Sequence, residues 1–153
     1  SEKYLFYVDV DSLFVDHVGE EIFGDLVGVS HCGYLGMQGP VEDNPNSCFY
    51  TDPARYETYD GGGFSGGEKS KYLELSTICA AQINSYLQKG IMPRFHVETA
   101  INKYFLDNPP SITLSPSYHY PQSNLDHYRK IWGNHKFEPK ILLLDKNHAA
   151  IRS

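Results

Sequence analysis

The sequence predicts an α/β domain, a mixed sheet flanked by helices, and three observations carry that expectation. Short apolar runs rich in β-branched and aromatic residues read as strands, buried at Tyr4–Val8 and Lys140–Leu144, with a further short strand at Leu26–Ser30. Between them lie two longer stretches whose apolar residues recur at helical spacing. A chain of 153 residues, 41% hydrophobic and 14% aromatic, suits one domain (1–153) with a real core and argues against disorder.

The first strand runs into Asp9-Val10-Asp11. Alternate residues of an extended chain face the same way, roughly 6–7 Å apart. Both carboxylates are therefore expected to converge on one hard divalent cation, with Val10 turned back into the core. Such a cation also binds phosphate oxygens. A strand closing in a turn, where Asp is common, accounts for the same residues. The second strand, Leu26–Ser30, is followed by His31-Cys32-Gly33-Tyr34. From Gly36 to Thr58 the composition is that of a loop, and loops of this length are usually functional or mobile.

Tyr59 to Gly67 reads YDGGGFSGG, with five glycines in its last seven residues. Such a run excludes stable helix and weakens a strand, but permits close backbone approach to a ligand. It is no P-loop, because no Lys-Ser/Thr follows at the required offset. A flexible turn is the plainer reading. Ser65 and Glu68 have the spacing of a capping box for a helix running to about Gln88, with Tyr72, Leu75, Cys79, Ile83, Tyr86 and Leu87 as its stripe. Gly90 ends it. The second helix is expected from Glu98 to about Asp107, with Val97, Ala100, Ile101, Tyr104 and Phe105 toward the core. Glu98 and Asn102 fall on its flank, where they can face a cleft. The helix dipole favours an ionised Glu98, fit to stabilise a developing cation or act as nucleophile, although a dipole-matched surface Glu looks the same.

Pro109-Pro110 stops this helix, and Ile112–Leu114 reads as a further short strand. Ser115–Trp132 is aromatic and His-rich, a composition that suits sugar rings and core packing equally well. Lys146 and Arg152 follow the last strand and can clamp a diphosphate, although exposed tail charges are usually idle. The net charge of −6 argues against a nucleic-acid backbone as main partner. Cys32, Cys48 and Cys79 lack metal-ligand spacing, and the seven histidines form no zinc pattern. With no initiator Met and a core strand almost at once, the chain is expected to be a fragment or processed product.

Two families share an apolar strand ending in Asp-x-Asp. The haloacid-dehalogenase-type phosphatases match at Asp9-Val10-Asp11-Ser12-Leu13, but their later acidic motif is absent. The other resemblance covers nearly the whole chain. YLFYVDVDSLFVDHVGEEIFG, SHCGYLG, YDGGGFSGG, FHVETAINKYF, ITLSPSY and DKNHAAIRS resemble, in order, motifs of glycosyltransferase family 6, the histo-blood-group A/B and α-1,3-galactosyltransferase family.

That resemblance implies a retaining, metal-dependent hexosyltransferase of the GT-A fold, moving galactose or N-acetylgalactosamine from a UDP-sugar in α-1,3 linkage to an oligosaccharide or glycolipid. It implies that Asp9 and Asp11 hold Mn²⁺ against the diphosphate, and that Glu98 is the catalytic carboxylate and also touches the acceptor. His31 and Phe95 match acceptor positions. Asp9, Gly61, Gly63, His96, Lys146 and Arg152 match donor positions, and bare glycines at 61 and 63 suggest a roomy pocket that favours GalNAc. The chain would be the metal, donor-sugar and acceptor part of the catalytic domain, without the N-terminal nucleotide-binding half. The family's helix usually reads His-Asp-Glu-Ser-His, whereas here Val97 and Ala100 replace the Asp and second His. Pro121 takes the place of an acidic acceptor contact, and the loop around Met37–Asn46 is shorter. These departures keep a catalytically silent UDP- or glycan-binding relative as the alternative. The implied location is the lumenal side of the Golgi membrane, through an N-terminal anchor, in a eukaryote, and the cytoplasm in a bacterium or virus.

Overall fold

The computed structural model describes residues 2–92 and 94–146. Among the described residues it is a mixed α/β structure with two sheets and three α-helices. The strands are β1 (Tyr4–Val8), β2 (Ser12–Phe14), β3 (Leu26–Val29), β4 (Phe64–Glu68), β5 (Ile112–Leu114), β6 (Tyr120–Pro121) and β7 (Ile141–Leu143). The helices are α1 (Lys69–Gln88), α2 (His96–Asp107) and α3 (Leu125–Trp132). The larger sheet has the order β1-β4-β3-β5, with β3–β5 parallel and the other pairs antiparallel. In the smaller, β7 lies between antiparallel β2 and parallel β6. Among the described residues, no helix is long and apolar enough to cross a membrane.

Strand β3 shows how the layers form. Its side chains alternate faces. Leu26 joins α1 and α2 in a core with Leu75, Cys79, Ala100, Ile101 and Phe105. Val27 and Val29 join Phe64, Leu114, Tyr118 and Ile141 on the other side. A third cluster of Cys32, Tyr120 and Trp132 seats α3, whose Trp132 indole N–H donates to the Cys32 carbonyl at 2.8 Å.

Several expectations need correction. The glycine-rich run contains β4, hydrogen-bonded on both sides. Its glycines admit neighbours that a side chain would block: a Cβ at Gly66 would stand 2.2 Å from the Phe6 ring, and one at Gly67 2.2 Å from the Asp25 carbonyl oxygen. Strand pairing therefore claims Ser65, whose Oγ lies 3.1 Å from the Tyr72 hydroxyl, and the capping box does not form. Glu68 itself caps α1, accepting from the Ser70 and Lys71 amides. Strand β1 is an edge strand with Tyr7 exposed, and Leu87 lies outside the buried stripe of α1. The Gly36–Thr58 loop is anchored, with Phe49 in the core and the Asn46 carbonyl accepting from Tyr86. Strands β2 and β6 and helix α3 were not expected from local pattern.

Candidate active site

Strand β1 delivers Asp9 to the rim of an open cleft of about 690 Å³, which Asp11, His31, Phe95, His96, Val97, Glu98, His119 and Lys146 also line. The Asp9–Asp11 segment is a turn, closed by the Ser12 amide donating to the Asp9 carbonyl at 3.0 Å. That reversal leaves Val10 fully exposed, not turned into the core. Both carboxylates still face the cleft. Asp9 accepts from the Tyr7 hydroxyl at 2.5 Å, and this bond, followed by burial, pushes the Tyr7 phenol up to about 12. Asp11 pairs with the Lys146 ammonium at 2.9 Å, which holds the lysine above its ordinary range.

Opposite them, the first turn of α2 presents Glu98. Both its oxygens are engaged: Oε1 accepts from the Tyr59 hydroxyl at 2.7 Å and Oε2 from the Gly62 amide at 2.8 Å. Tyr59 is buried, and burial, then the bond to Glu98, raise its pKa far above that of a free phenol. Asn102, one turn along, is buried rather than facing the cleft. Its side chain donates to the Asp60 and Glu98 carbonyls and accepts from the Asp60 amide. The helix is thereby fastened to the glycine segment. Burial, followed by the charge of Glu98, pushes the Asp60 carboxyl up to about 7.

The tripeptide Gly61-Gly62-Gly63 bridges the two acidic groups. The Gly62 amide holds Glu98, while the Gly63 carbonyl accepts from the Asp9 amide at 2.9 Å. Over this bridge lies the imidazole of His119, only 6% exposed. A Cβ at Gly61 would stand 2.8 Å from His119 Cε1, and one at Gly63 3.2 Å from Cδ2. The room expected beside these glycines is thus occupied by His119. Burial, then neighbouring His31, push His119 down to about 3. The two imidazole centroids are 5.2 Å apart. His31 Nδ1 accepts from the Gly33 amide at 3.0 Å, so its neutral ring carries the proton on Nε2. Burial lowers its pKa, with Glu98 pulling the other way.

The structure brings together Asp9, Asp11, His31, Gly63, Phe95, His96, Glu98 and Lys146. Gly61 lies just beneath, under His119. Arg152 falls outside the described residues. Val97, expected in the core, is exposed in the cleft because the first turn of α2 overhangs it. Pro121 shares that wall. Reading the sequence did not single out His119, Tyr59, Gly62 or Arg94 for these places. Arg94 was invisible as a cleft residue; here its guanidinium lies over the Phe95 ring and pairs with Asp43.

Two hard carboxylates suit a divalent ion that keeps water and phosphate oxygens in its shell. Among the described residues, no group of three or more His, Cys, Asp or Glu side chains could hold a metal, so Asp9 and Asp11 form a partial ligand set of that kind.

Comparison with known proteins gives this geometry its context. The sequence profile of Glycosyltransferase family 6 matches residues 2–153. The chain is 31% identical over 159 residues to globoside alpha-1,3-N-acetylgalactosaminyltransferase 1 of Gallus gallus, an alignment covering 98% of this chain and 43% of the relative. It is 33% identical over 153 residues to histo-blood group ABO system transferase 1 of Rattus norvegicus, with 98% and 42% covered. The O-antigen biosynthesis glycosyltransferase WbnI of Escherichia coli is 27% identical over 151 residues, with 95% and 60% covered. The chain spans less than half the length of the two vertebrate relatives. With a match along essentially all of its length, the chain belongs to glycosyltransferase family 6.

Proposed function

We propose that this chain is the metal, donor-sugar and acceptor part of a GT-A-type retaining glycosyltransferase, moving galactose or N-acetylgalactosamine from a UDP-sugar in α-1,3 linkage to a glycan. One observation carries the reading. Glu98, held at both oxygens, faces the same cleft as the Asp9–Asp11 pair, and a three-glycine bridge joins them. GalNAc remains the favoured sugar, on the support of the N-acetylgalactosaminyltransferase among the relatives. The supposed room beside Gly61 gives no support, since His119 fills it.

Each residue then has a physical task. Asp9 and Asp11 would hold Mn²⁺, which when bound supplies Lewis-acid stabilisation to the departing diphosphate. Lys146, already seated at Asp11, brings a second cation to the same end of the cleft. Arg152 is proposed to join it. Glu98, oriented by two donors, faces the anomeric carbon as nucleophile or as stabiliser of the positive charge that develops there. His31, protonated on Nε2, donates to an acceptor oxygen; its Nδ1 lone pair is already taken by Gly33. Phe95 offers an aromatic face to the acceptor and His96 a polar edge to the donor. The sugar–diphosphate bond breaks, the acceptor hydroxyl oxygen bonds to the same face of the sugar, and its proton leaves with the diphosphate.

The test is UDP release from UDP-GalNAc and UDP-Gal, with and without Mn²⁺, by the longest natural form of the protein that carries this chain. Release that needs Mn²⁺ and is lost in Asp11→Asn and Glu98→Gln establishes the reading, and the faster donor identifies the sugar. A folded protein that binds UDP but releases none is instead the silent relative to which Val97 and Pro121, apolar in the cleft wall, would belong.

A further inference from the structure

We propose that His119 contacts the transferred hexose and determines which hexose the cleft accepts, an assignment that rests on the donor-binding reading above. The His119 ring lies against the glycine bridge. Its edge covers Gly61 and Gly63, the ends of the bridge between the Asp9 turn and Glu98. A donor with its phosphates at Asp9 and Asp11 and its reacting carbon at Glu98 must lay the intervening sugar along that bridge, where His119 forms the wall.

His119 is a polar side chain 6% exposed, and among the described residues its Nδ1 has no hydrogen-bond partner. Burying an imidazole without partners is costly, and an apolar side chain would fill the same slot without that cost. The nitrogen on the edge toward the glycine bridge is Nε2, which in the neutral ring is an N–H donor or a lone-pair acceptor and suits hydroxyl or acetamido groups. The fit is also tight: the ring leaves no space for a Cβ at Gly61. Hydrogen-bonded and sterically closed walls discriminate between substrates better than apolar ones do.

UDP-Gal and UDP-GalNAc differ only at C2, so they report on this wall while sharing every other contact. In the longest natural form of the protein, with Mn²⁺, Kd for UDP, UDP-Gal and UDP-GalNAc would be measured by calorimetry, and kcat and KM for both sugars, in wild type, His119→Leu and His119→Gln. The expected result is UDP affinity within about twofold of wild type. The GalNAc-to-Gal ratio, in Kd and in kcat/KM, should move by about tenfold or more in His119→Leu and less in His119→Gln. An unchanged ratio, with equal losses for both sugars or for UDP itself, would make His119 a packing residue and overturn the assignment. If His119→Leu does not fold, the ratio in His119→Gln decides. A wild type that binds UDP-sugars but never releases UDP defeats the transferase reading alone, since the binding ratios still judge His119. A wild type that binds no UDP-sugar defeats both.

Discussion

Tyr59 and Glu98 lie 39 residues apart in the chain, and the phenol of one meets the carboxylate of the other at 2.7 Å. The bond fixes the rotamer of the one acidic side chain on α2 that faces the cleft. Hydrogen bonds to charged groups contribute about 1.5–3 kcal/mol. Tyr59→Phe keeps the buried ring and removes only the donor, leaving Gly62 to hold Glu98 alone. We expect kcat to fall roughly 10- to 100-fold with KM for the donor nearly unchanged. Steady-state kinetics of UDP release checks this, and an equal rise in KM would show that Tyr59 serves binding instead.

The Asp60 carboxyl is buried beneath the same bridge, with Oδ1 unpartnered among the described residues. Its pKa rises from 3.8 to about 7 on folding, first through burial and then through Glu98. The folded state therefore holds a proton that the unfolded chain has released between about pH 4 and 7, and stability falls as pH rises through that window. Asp60→Asn removes the titration. Its stability relative to wild type should improve from pH 4 to pH 8, by up to about 4 kcal/mol. Urea unfolding at the two pH values tests the sign, and a constant difference would refute it.

How much of this was legible in the sequence depends on whether the signal was local. Strand β1 and the pairing of Asp9 with Asp11 could be read because an apolar run and two adjacent carboxylates are visible without the rest of the chain. Helix α2 could be read from its period, yet Val97 fitted that period and lies in the open, because a helix's first turn need not be covered by what packs on its later turns. Strand β4 was hidden by its composition. Gly66 and Gly67 lower strand propensity, but Phe6 and Asp25 approach so closely that only glycine fits. His119 meets Gly61 through tertiary packing between distant segments. Local periodicity carries no trace of such a contact.

That contact predicts a coupled pair of mutations. Gly61→Ala places a methyl 2.8 Å from the ring of a buried His119, an overpacking that costs roughly 1–3 kcal/mol. In a His119→Ala background the methyl enters space that the ring has left. There the same substitution should be neutral or stabilising by up to about 1 kcal/mol, since alanine restricts the unfolded chain more than glycine. The double-mutant cycle by urea unfolding should show coupling of at least about 1 kcal/mol. Additive costs would mean that His119 can swing aside.

The ion pair between Lys146 and Asp11 sets the lysine against any other cation for one carboxylate. A divalent ion binding at Asp9 and Asp11 must displace the ammonium or move it toward added phosphate. Lys146→Met keeps the aliphatic stem and removes the competitor. Mn²⁺ alone should then bind several-fold more tightly, while UDP in the presence of Mn²⁺ should bind more weakly, because the diphosphate has lost a cation. Titration calorimetry of the two ligands separates these effects. If Mn²⁺ and UDP both weaken, Lys146 organises the Asp9–Asp11 turn rather than competing for it. If neither changes, the lysine is a surface charge with no part in the donor site.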